Sequence, residues 1–198
     1  MSEALLIFVK NLIFGQVKTR LAATAGNEAA INIYKELLQH TNSVTQPVDA
    51  DKIVFYSSYI DEEDIWNSKH FKKQIQKGKD LGERMQYAFA SVFEAGYEKA
   101  IIIGTDCPGI DKKILENAFA ILNNYDLAIG PARDGGYYLL GMKKLYAELF
   151  KEVEWSTDTV LKQTIQKCRQ LNLGYALLPV LVDVDEEKDL KYLKRSVL

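Results

Sequence analysis

The run Ile101-Ile102-Ile103, which ends at once in Gly104-Thr105-Asp106-Cys107-Pro108, constrains the fold of this chain more than any other segment. An uninterrupted aliphatic run between turn residues is typical of a strand buried on both faces, as in parallel sheets covered by helices. Asp106 then lies at the carboxyl end of that strand, where open α/β sheets bind ligands. A helix cap is the alternative role, but Asp111 is better spaced for it, so the pattern favours a metal or substrate ligand.

Apolar strands and amphipathic helices alternate along the rest of the chain. We predict further strands at residues 5–9, 52–57, 126–130, 137–142 and 175–182. We predict helices from Asn27, from Leu81 to a left-handed cap at Gly96, from Asp111, and at 145–150, 156–171 and 186–193, with a mixed, partly irregular connection at 61–79. This order predicts a three-layer α/β/α fold with a mostly parallel, Rossmann-like sheet. A length of 198 residues suits one domain, 1–198.

Charge and hydropathy exclude several classes of partner. The net charge is −2, so there is no global field to hold nucleic acid or an anionic membrane surface. The apolar run at residues 4–9 is far too short to span a bilayer and lacks the flanks of a signal peptide. We therefore expect a cytoplasmic protein with no nucleic-acid partner and no membrane span. Cys107 and Cys168 have no metal-binding or disulfide spacing, and we expect both to be reduced thiols.

Two segments at predicted helix starts carry cations. In the first, Gly15 lets the backbone approach a ligand, and Lys18 and Arg20 follow, which suits phosphate; a solvated turn is the competing interpretation. The spacing matches neither a P-loop nor a dinucleotide fingerprint. In the second, Asp80 and Glu83 are explained as helix caps. Arg84 is not, since the helix dipole disfavours a cation in the first turn unless an anion is near.

Three further features lie near predicted strand ends. Cys107 invites a nucleophile hypothesis, but neither histidine is placed to activate it, so we expect a packed residue. The turn Asp134-Gly135-Gly136-Tyr137-Tyr138 fits a hairpin, although paired glycines also mark close approach of a ligand. We expect Asp183 and Asp185 to lie on opposite faces of an extended chain, so that one of them points back toward Asp106.

Taken together, seven motifs resemble a bacterial family of uncharacterised GT-A-like proteins, described as glycosyltransferase candidates and sometimes linked to arsenosugar biosynthesis. The motifs are Phe8-x-Lys10, Gly15-x-Val17-Lys18-Thr19-Arg20-Leu21, Asp80-Leu81-Gly82-Glu83-Arg84-Met85, Gly104-Thr105-Asp106-Cys107-Pro108, Gly130-Pro131-Ala132-x-Asp134-Gly135-Gly136-Tyr137-Tyr138-Leu139, Trp155-Ser156-Thr157, and Asp183-Val184-Asp185 with Asp189-Leu190. The resemblance runs nearly end to end. It implies a GT-A, nucleotide-diphospho-sugar transferase-like fold, related to the molybdenum-cofactor and phospholactate guanylyltransferases.

The resemblance also implies a site. Asp106 would hold Mg²⁺ or Mn²⁺ as a catalytic residue, with Asp185 as second ligand and Asp183 as its competitor. A nucleotide would lie over the first loop, near Lys10, Gly15, Lys18 and Arg20, with Arg84 on phosphate or base. Asp134 would be the second catalytic residue, and the acceptor side would be lined by Thr105, Gly135, Gly136 and Tyr137.

The implied activity is a metal-dependent transfer from a nucleotide-activated donor to a small-molecule acceptor, with glycosyl transfer from a nucleotide sugar favoured. The alternatives are nucleotidyl transfer with release of pyrophosphate and a non-catalytic nucleotide-binding module. The absence of the glycine-rich first loop typical of nucleotidyltransferases weighs against nucleotidyl transfer. Residues 11–14 replace an expected proline-containing segment, and Glu186 replaces a usual Thr. A nicotinamide oxidoreductase has no support in the first loop.

Tyr56, Tyr59 and Trp66 would form either a self-association patch or core.

Overall fold

A computed structural model of the chain describes residues 2–193. The strands are β1 Glu3–Val9, β2 Asp51–Tyr56, β3 Phe71–Ile75, β4 Lys99–Ile103, β5 Leu127–Pro131, β6 Tyr137–Met142 and β7 Tyr175–Leu177. The helices are α1 Thr19–Ala25, α2 Asn27–Thr45, α3 Leu81–Glu94, α4 Lys112–Ile121, α5 Val160–Gln170 and α6 Leu190–Leu193, with 3-10 turns at Ala147–Phe150 and Glu187–Asp189. The strands form one sheet in the order β3-β2-β1-β4-β6-β5-β7.

The sheet is mostly parallel, as the alternation of strands and helices predicts. Strands β3, β2, β1 and β4 run parallel to one another, β6 runs antiparallel to both of its neighbours, and β7 is parallel to β5. The chain passes from β1 to β2 on one side and later returns to β4 on the other side of β1. Such a reversal opens a crevice at the carboxyl ends of the two strands, which is where ligands bind in this class of sheet.

Two apolar cores cover the two faces of the sheet. Leu5 and Ile7 of β1 belong to one core, and Leu6, which lies between them in the strand, belongs to the other. Successive side chains of a strand point to opposite faces of the sheet. One core adds the inner faces of α2 and α4, and the other adds α3, α5 and the 3-10 turn Ala147–Phe150. The three-layer architecture is therefore confirmed. All five residues of β4 are buried, as the aliphatic run predicts.

Local side-chain chemistry sets several helix ends. Asp80 and Asp111 cap α3 and α4, accepting from the backbone N–H groups of Glu83 and Ile114 at 2.9 and 2.8 Å. Gly96 follows α3 with φ of 90° and supplies the predicted left-handed residue. Asn27 is not the cap of α2: it is the first helical residue, and Gly26 with φ of 86° precedes it.

One strand was not predicted, and the bounds predicted for another strand and for a helix were wrong. The segment 61–79 contains strand β3, whose sequence FKKQI lacks an apolar run because it lies at the sheet edge. The predicted strand 175–182 pairs as a strand only over Tyr175–Leu177, with an isolated bridge from Leu181 to Ala132. Helix α5 begins at Val160, not at 156, since Ser156 has φ of 64°.

Tyr56 and Trp66 are core residues, whereas Tyr59 is exposed. No helix within residues 2–193 is long and apolar enough to cross a membrane.

Candidate functional site

A cluster of carboxylates surrounds one ammonium group at the carboxyl ends of β1 and β4. Lys18 Nζ lies 2.6 Å from Asp106 Oδ1 and 3.0 Å from Asp185 Oδ1. Asp106 follows β4, Lys18 ends the loop after β1, and Asp185 comes from the segment after β7, 167 residues beyond Lys18. The fold thus joins three segments that the sequence indicates separately.

The segment carrying Asp183 and Asp185 is fixed against the Asp106 loop by its backbone. The N–H of Val184 donates to the carbonyl oxygen of Asp106 at 2.8 Å, and the Val184 side chain is fully buried. Asp183 and Asp185 are two residues apart, so an extended chain carries them on the same side. The expectation that they lie on opposite faces was wrong: the charges of Asp106, Asp185 and Lys18 all act on Asp183.

Lys18 is held in a buried and conformationally unusual position. Its side chain is 4% exposed, and its backbone has φ of 49° and ψ of 46°, the left-handed region, immediately before α1. Burial alone would lower the pKa of the ammonium. The charges of Asp106 and Asp185 and their hydrogen bonds outweigh burial and raise this pKa. Lys18 is therefore a permanent cation that neutralises part of the cluster.

Asp183 is the most perturbed carboxyl group of the cluster. Burial, followed by the charges of Asp106, Asp134 and Asp185, raises its pKa to about 7. Its Oδ1 atom is buried, and no residue among 2–193 donates a hydrogen bond to it. The adjacent Cys107 is buried, and burial together with the charge of Asp183 raises the pKa of its thiol. Cys107 is thus the packed residue that the sequence predicts, because a thiol with a raised pKa is a poor nucleophile.

Tyr34 of α2 ties the first loop to the end of β4. Its hydroxyl accepts from the Lys10 N–H at 2.8 Å, contacts the Lys10 carbonyl oxygen at 3.3 Å and lies 3.1 Å from Thr105 Oγ1. Tyr34 and Thr105 are both buried. This network fixes the backbone on either side of the crevice. Sequence reasoning missed it, because Tyr34 reads as one more apolar position of an amphipathic helix.

Two cavities meet at the cluster. The first, of about 590 Å³, runs from the first loop past Gln76 and Arg84 to Thr105, Asp106 and Asp183. The second, of about 580 Å³, lies toward α1 and the start of α5 and is lined by Arg20, Asp134 and Gly136, among others. Both are lined by the residues of their junction: Lys10, Leu81, Asp106, Tyr137, Ser156 and Asp183. We call them the inner and outer chambers, respectively.

Arg84 projects from the first turn of α3 toward the inner chamber. Its Nε donates to the Gly78 carbonyl oxygen at 3.2 Å, and one terminal nitrogen lies 3.5 Å from Gln76 Oε1. Gln76 Nε2 in turn donates to the carbonyl oxygens of Val9 and Phe55 at 3.2 and 2.9 Å. Within residues 2–193 the guanidinium is therefore bonded to Gly78 and to Gln76, which the ends of β1 and β2 hold in place, and to no carboxylate. Its charge faces the inner chamber.

Trp155 closes the other side of the junction. Its ring stacks on Phe150 with centroids 6.3 Å apart, and its indole lies so close to Gly82 of α3 that a Cβ there would overlap the indole Nε1. Gly135, with φ of 91°, is packed in the same way against the backbone of Asp158. Two glycines thus allow the 155–158 segment to lie against the chamber walls. The sequence motif contains Trp155, but nothing in the sequence shows what it packs on.

The structure brings most of the predicted site residues together and leaves two aside. Those lining the chambers are Lys10, Lys18, Arg20, Arg84, Thr105, Asp106, Asp134, Gly136, Tyr137, Asp183 and Asp185. Gly15 lines neither chamber. Its positive φ of 76° lies in the turn before α1, where glycine is favoured. Gly135 lines neither chamber as well, and its packing on Asp158 explains the residue without a ligand.

The donor chemistry of the cluster suits a divalent cation. Within residues 2–193 no three His, Cys, Asp or Glu side chains are grouped as a ready metal site. However, the carboxylates of Asp106 and Asp185 already share a cation, Lys18, and the buried Oδ1 of Asp183 has no hydrogen-bond partner in the described part of the chain. Oxygen ligands of this kind are those that Mg²⁺ and Mn²⁺ prefer. The residues present therefore fit such an ion.

Known proteins resemble this chain over nearly all of its length. A crystal structure of a proposed nucleotide-diphospho-sugar transferase from Desulfovibrio desulfuricans G20 is 34% identical, with a TM-score of 0.90 over 99% of this chain and 88% of that one. The 2-phospho-L-lactate guanylyltransferase of Methanocaldococcus jannaschii is 29% identical over 180 residues, 88% of this chain and 75% of the relative.

A more distant solved structure has the same fold. The 4-diphosphocytidyl-2C-methyl-D-erythritol synthase of Anaerococcus prevotii is 10% identical, with a TM-score of 0.60 over 98% of this chain and 95% of that one, which shows a shared fold alone. The family described as an uncharacterized protein conserved in bacteria (DUF2064) matches residues 40–157. The chain belongs to this family, and its fold is that of the nucleotide-diphospho-sugar transferases.

Proposed function

We propose that this protein is a metal-dependent nucleotidyltransferase, which transfers a nucleoside monophosphate from a triphosphate to a small acceptor and releases pyrophosphate. The observation that carries the proposal is the carboxylate cluster around Lys18 at the junction of the two chambers. The guanylyltransferase activity of relatives that match 88% of the chain supports the type of transfer.

The two chambers supply the geometry that phosphoryl chemistry needs. The attacking and leaving oxygens lie on opposite sides of the phosphorus, so donor and acceptor must approach one point from two directions. Held in place, they react as one molecule, which removes much of the entropic barrier. The nucleotide occupies the inner chamber, the acceptor occupies the outer chamber, and the α-phosphate lies at their junction.

Named side chains have separate roles in this arrangement. Lys10 binds phosphate oxygens at the junction, and Lys18 and Arg20 act on them from the outer chamber. Arg84 binds the phosphate or the base in the inner chamber. Tyr34 holds the Lys10 backbone and Thr105 in position. Asp134 faces the acceptor. Together the cations stabilise the negative charge of the phosphates in the transition state.

Asp106 and Asp185, with Asp183 beside them, would hold the divalent cation. When bound, Mg²⁺ or Mn²⁺ supplies charge neutralisation and orients the phosphates. The carboxylates position the cation, and Trp155 with the 155–158 segment restricts water at the junction.

Glycosyl transfer from a nucleotide sugar, which the sequence motifs favour, is the second candidate. The description of the Desulfovibrio relative as a proposed nucleotide-diphospho-sugar transferase supports it. The two reactions differ in the leaving group, pyrophosphate in one and nucleoside diphosphate in the other. A binding module without turnover would release neither.

The test is product analysis of the purified protein with Mg²⁺. Triphosphates, GTP first, are combined with phosphorylated acids such as 2-phospho-L-lactate and with sugar phosphates; GDP- and UDP-sugars are combined with the same acceptors. We expect pyrophosphate from a triphosphate, and we expect Asp106→Asn to reduce its release by at least a hundredfold while the melting temperature is retained. Release of nucleoside diphosphate from a nucleotide sugar instead would overturn the proposal, as would full activity of Asp106→Asn.

A further inference from the structure

The ammonium of Lys18 occupies the position between the two carboxylates that the proposed reaction assigns to a metal. Nζ lies 2.6 Å from Asp106 Oδ1 and 3.0 Å from Asp185 Oδ1, and the side chain is 4% exposed. These are the only two ion pairs that the described residues 2–193 give to Lys18, and both go to proposed metal ligands. A lysine that served the phosphates alone would have no reason to be buried between these two oxygens.

A divalent cation and this ammonium compete for the same oxygen atoms. Mg²⁺ binds carboxylate oxygens at about 2.0–2.1 Å in near-octahedral geometry, so a cation shared by Asp106 and Asp185 needs the lone pairs that Lys18 now uses. Two positive charges at adjacent positions also repel in a partly buried site. Lysine can leave without backbone movement, since its ammonium is a point charge on a flexible stem. The outer chamber, which Lys18 also lines, gives it room.

We propose that Lys18 is an exchangeable internal counter-ion, which holds the carboxylate cluster together without metal and is displaced from it when the divalent cation binds. The proposal rests on the proposed function, because the cation is the one that this reaction uses. Displacement turns the ammonium from the carboxylates into the outer chamber, beside the junction at which the proposed reaction holds the α-phosphate. Metal uptake and presentation of Lys18 to the substrate are therefore one coupled event.

The wild-type protein allows a direct test by chemical labelling of lysine amines. Reductive methylation followed by peptide mass spectrometry is run with and without Mg²⁺, with no nucleotide present. We expect labelling of Lys18 to rise at least fivefold with Mg²⁺. Lys99 is the internal control: its side chain is 8% exposed and paired with Glu3 at 2.9 Å, at the opposite end of β4, and its labelling should not change. Lys18 that stays protected at saturating Mg²⁺ would overturn the proposal.

A second test measures affinity for Mn²⁺ by electron paramagnetic resonance without nucleotide. Lys18→Met removes the competing ammonium, so we expect at least tenfold tighter Mn²⁺ binding than in the wild type, whereas Lys99→Met should leave the affinity unchanged. Equal or weaker binding by Lys18→Met, or no Mn²⁺ binding by either protein, contradicts the exchange. Exchange without any nucleotide turnover would support this inference and count against the proposed function alone, so the two can fail separately.

Discussion

The buried carboxyl group of Asp183 ties the stability of the protein to pH at the scale of a single residue. Its pKa is raised to about 7 in the folded protein from an ordinary value of 3.8, through burial and the charges of three other aspartates. Between these two values the native state binds more protons than the unfolded state. The free energy of unfolding contributed by this group therefore falls as pH rises through that window.

Asp183→Asn should remove this dependence, because the amide keeps the shape of the carboxyl group and carries no titrating proton. We expect the variant to gain stability relative to the wild type as pH rises from about 4 to about 7 in the presence of a chelator, as the linkage relation requires. Urea unfolding at both ends of the range measures it. A constant difference between the two proteins across the range would show that Asp183 does not titrate there.

Tyr34→Phe tests the network that joins the first loop to β4. Loss of the hydroxyl leaves the Lys10 N–H and Thr105 Oγ1 without their partner, and a buried polar group left unsatisfied costs about 1–3 kcal/mol. We expect a loss of stability of about that size. Tyr125→Phe, at an exposed tyrosine, is the matched control and should change little. A fully stable Tyr34→Phe protein would show that the network does not order the loop.

Part of the site could be predicted at the residue scale. Asp106 and Lys18 stand out because each is a charge at the end of a buried strand or in the loop after one. The pairing of Lys18 with Asp185 could not be predicted, because it depends on how segments 167 residues apart meet. The role of Gly135 was missed for the same reason: its neighbour, Asp158, lies in another segment.

At the scale of elements, the contact between α3 and the 155–158 segment shapes the wall of both chambers. Gly82 lies on the buried side of α3, and Trp155 fills the space that a side chain would take. Alanine is the better helix former by about 1 kcal/mol, so propensity alone predicts that Gly82→Ala stabilises the protein.

We expect Gly82→Ala to do the opposite. Overpacking costs typically about 1–3 kcal/mol, and the displaced indole would also alter the junction of the chambers. The measurement is the melting temperature together with the fluorescence of Trp155 in a Trp66→Phe background. Gly174→Ala is the control, since its new Cβ would meet neighbours only at ordinary distances of 3.6 Å or more. A stabilised Gly82→Ala protein with unchanged fluorescence would be inconsistent with this packing.

Elements with strong local signals were predicted and those set by context were not. Helices α3 and α4 carry an apolar stripe and an aspartate cap, and β4 is aliphatic throughout. Two of the five residues of β3 are lysines, and it is a strand because β2 offers an open edge to pair with. Nothing within its five residues distinguishes it from a polar loop.

At the scale of the whole molecule, alternation of strands and helices was enough to predict a mostly parallel sheet with helices on both faces, and the edge at which the site lies. The reversal of strand order at β1 and β4 brings the first loop and Asp106 together, and the late segment of Asp183 and Asp185 is added by backbone pairing to Asp106. The motifs identified the fold class, but the choice between glycosyl and nucleotidyl transfer depends on relatives and on chemistry that the motifs share.

The most direct test of the central claim is a thermal-shift panel of nucleoside triphosphates, nucleoside diphosphates and nucleotide sugars, each with and without Mg²⁺, because it requires no knowledge of the acceptor. A ligand that binds only the native state raises its melting temperature. We predict a Mg²⁺-dependent rise for a triphosphate that exceeds the rise for any nucleotide sugar and is lost in Asp106→Asn. A larger shift with a nucleotide sugar, or no shift with any nucleotide, would contradict the account.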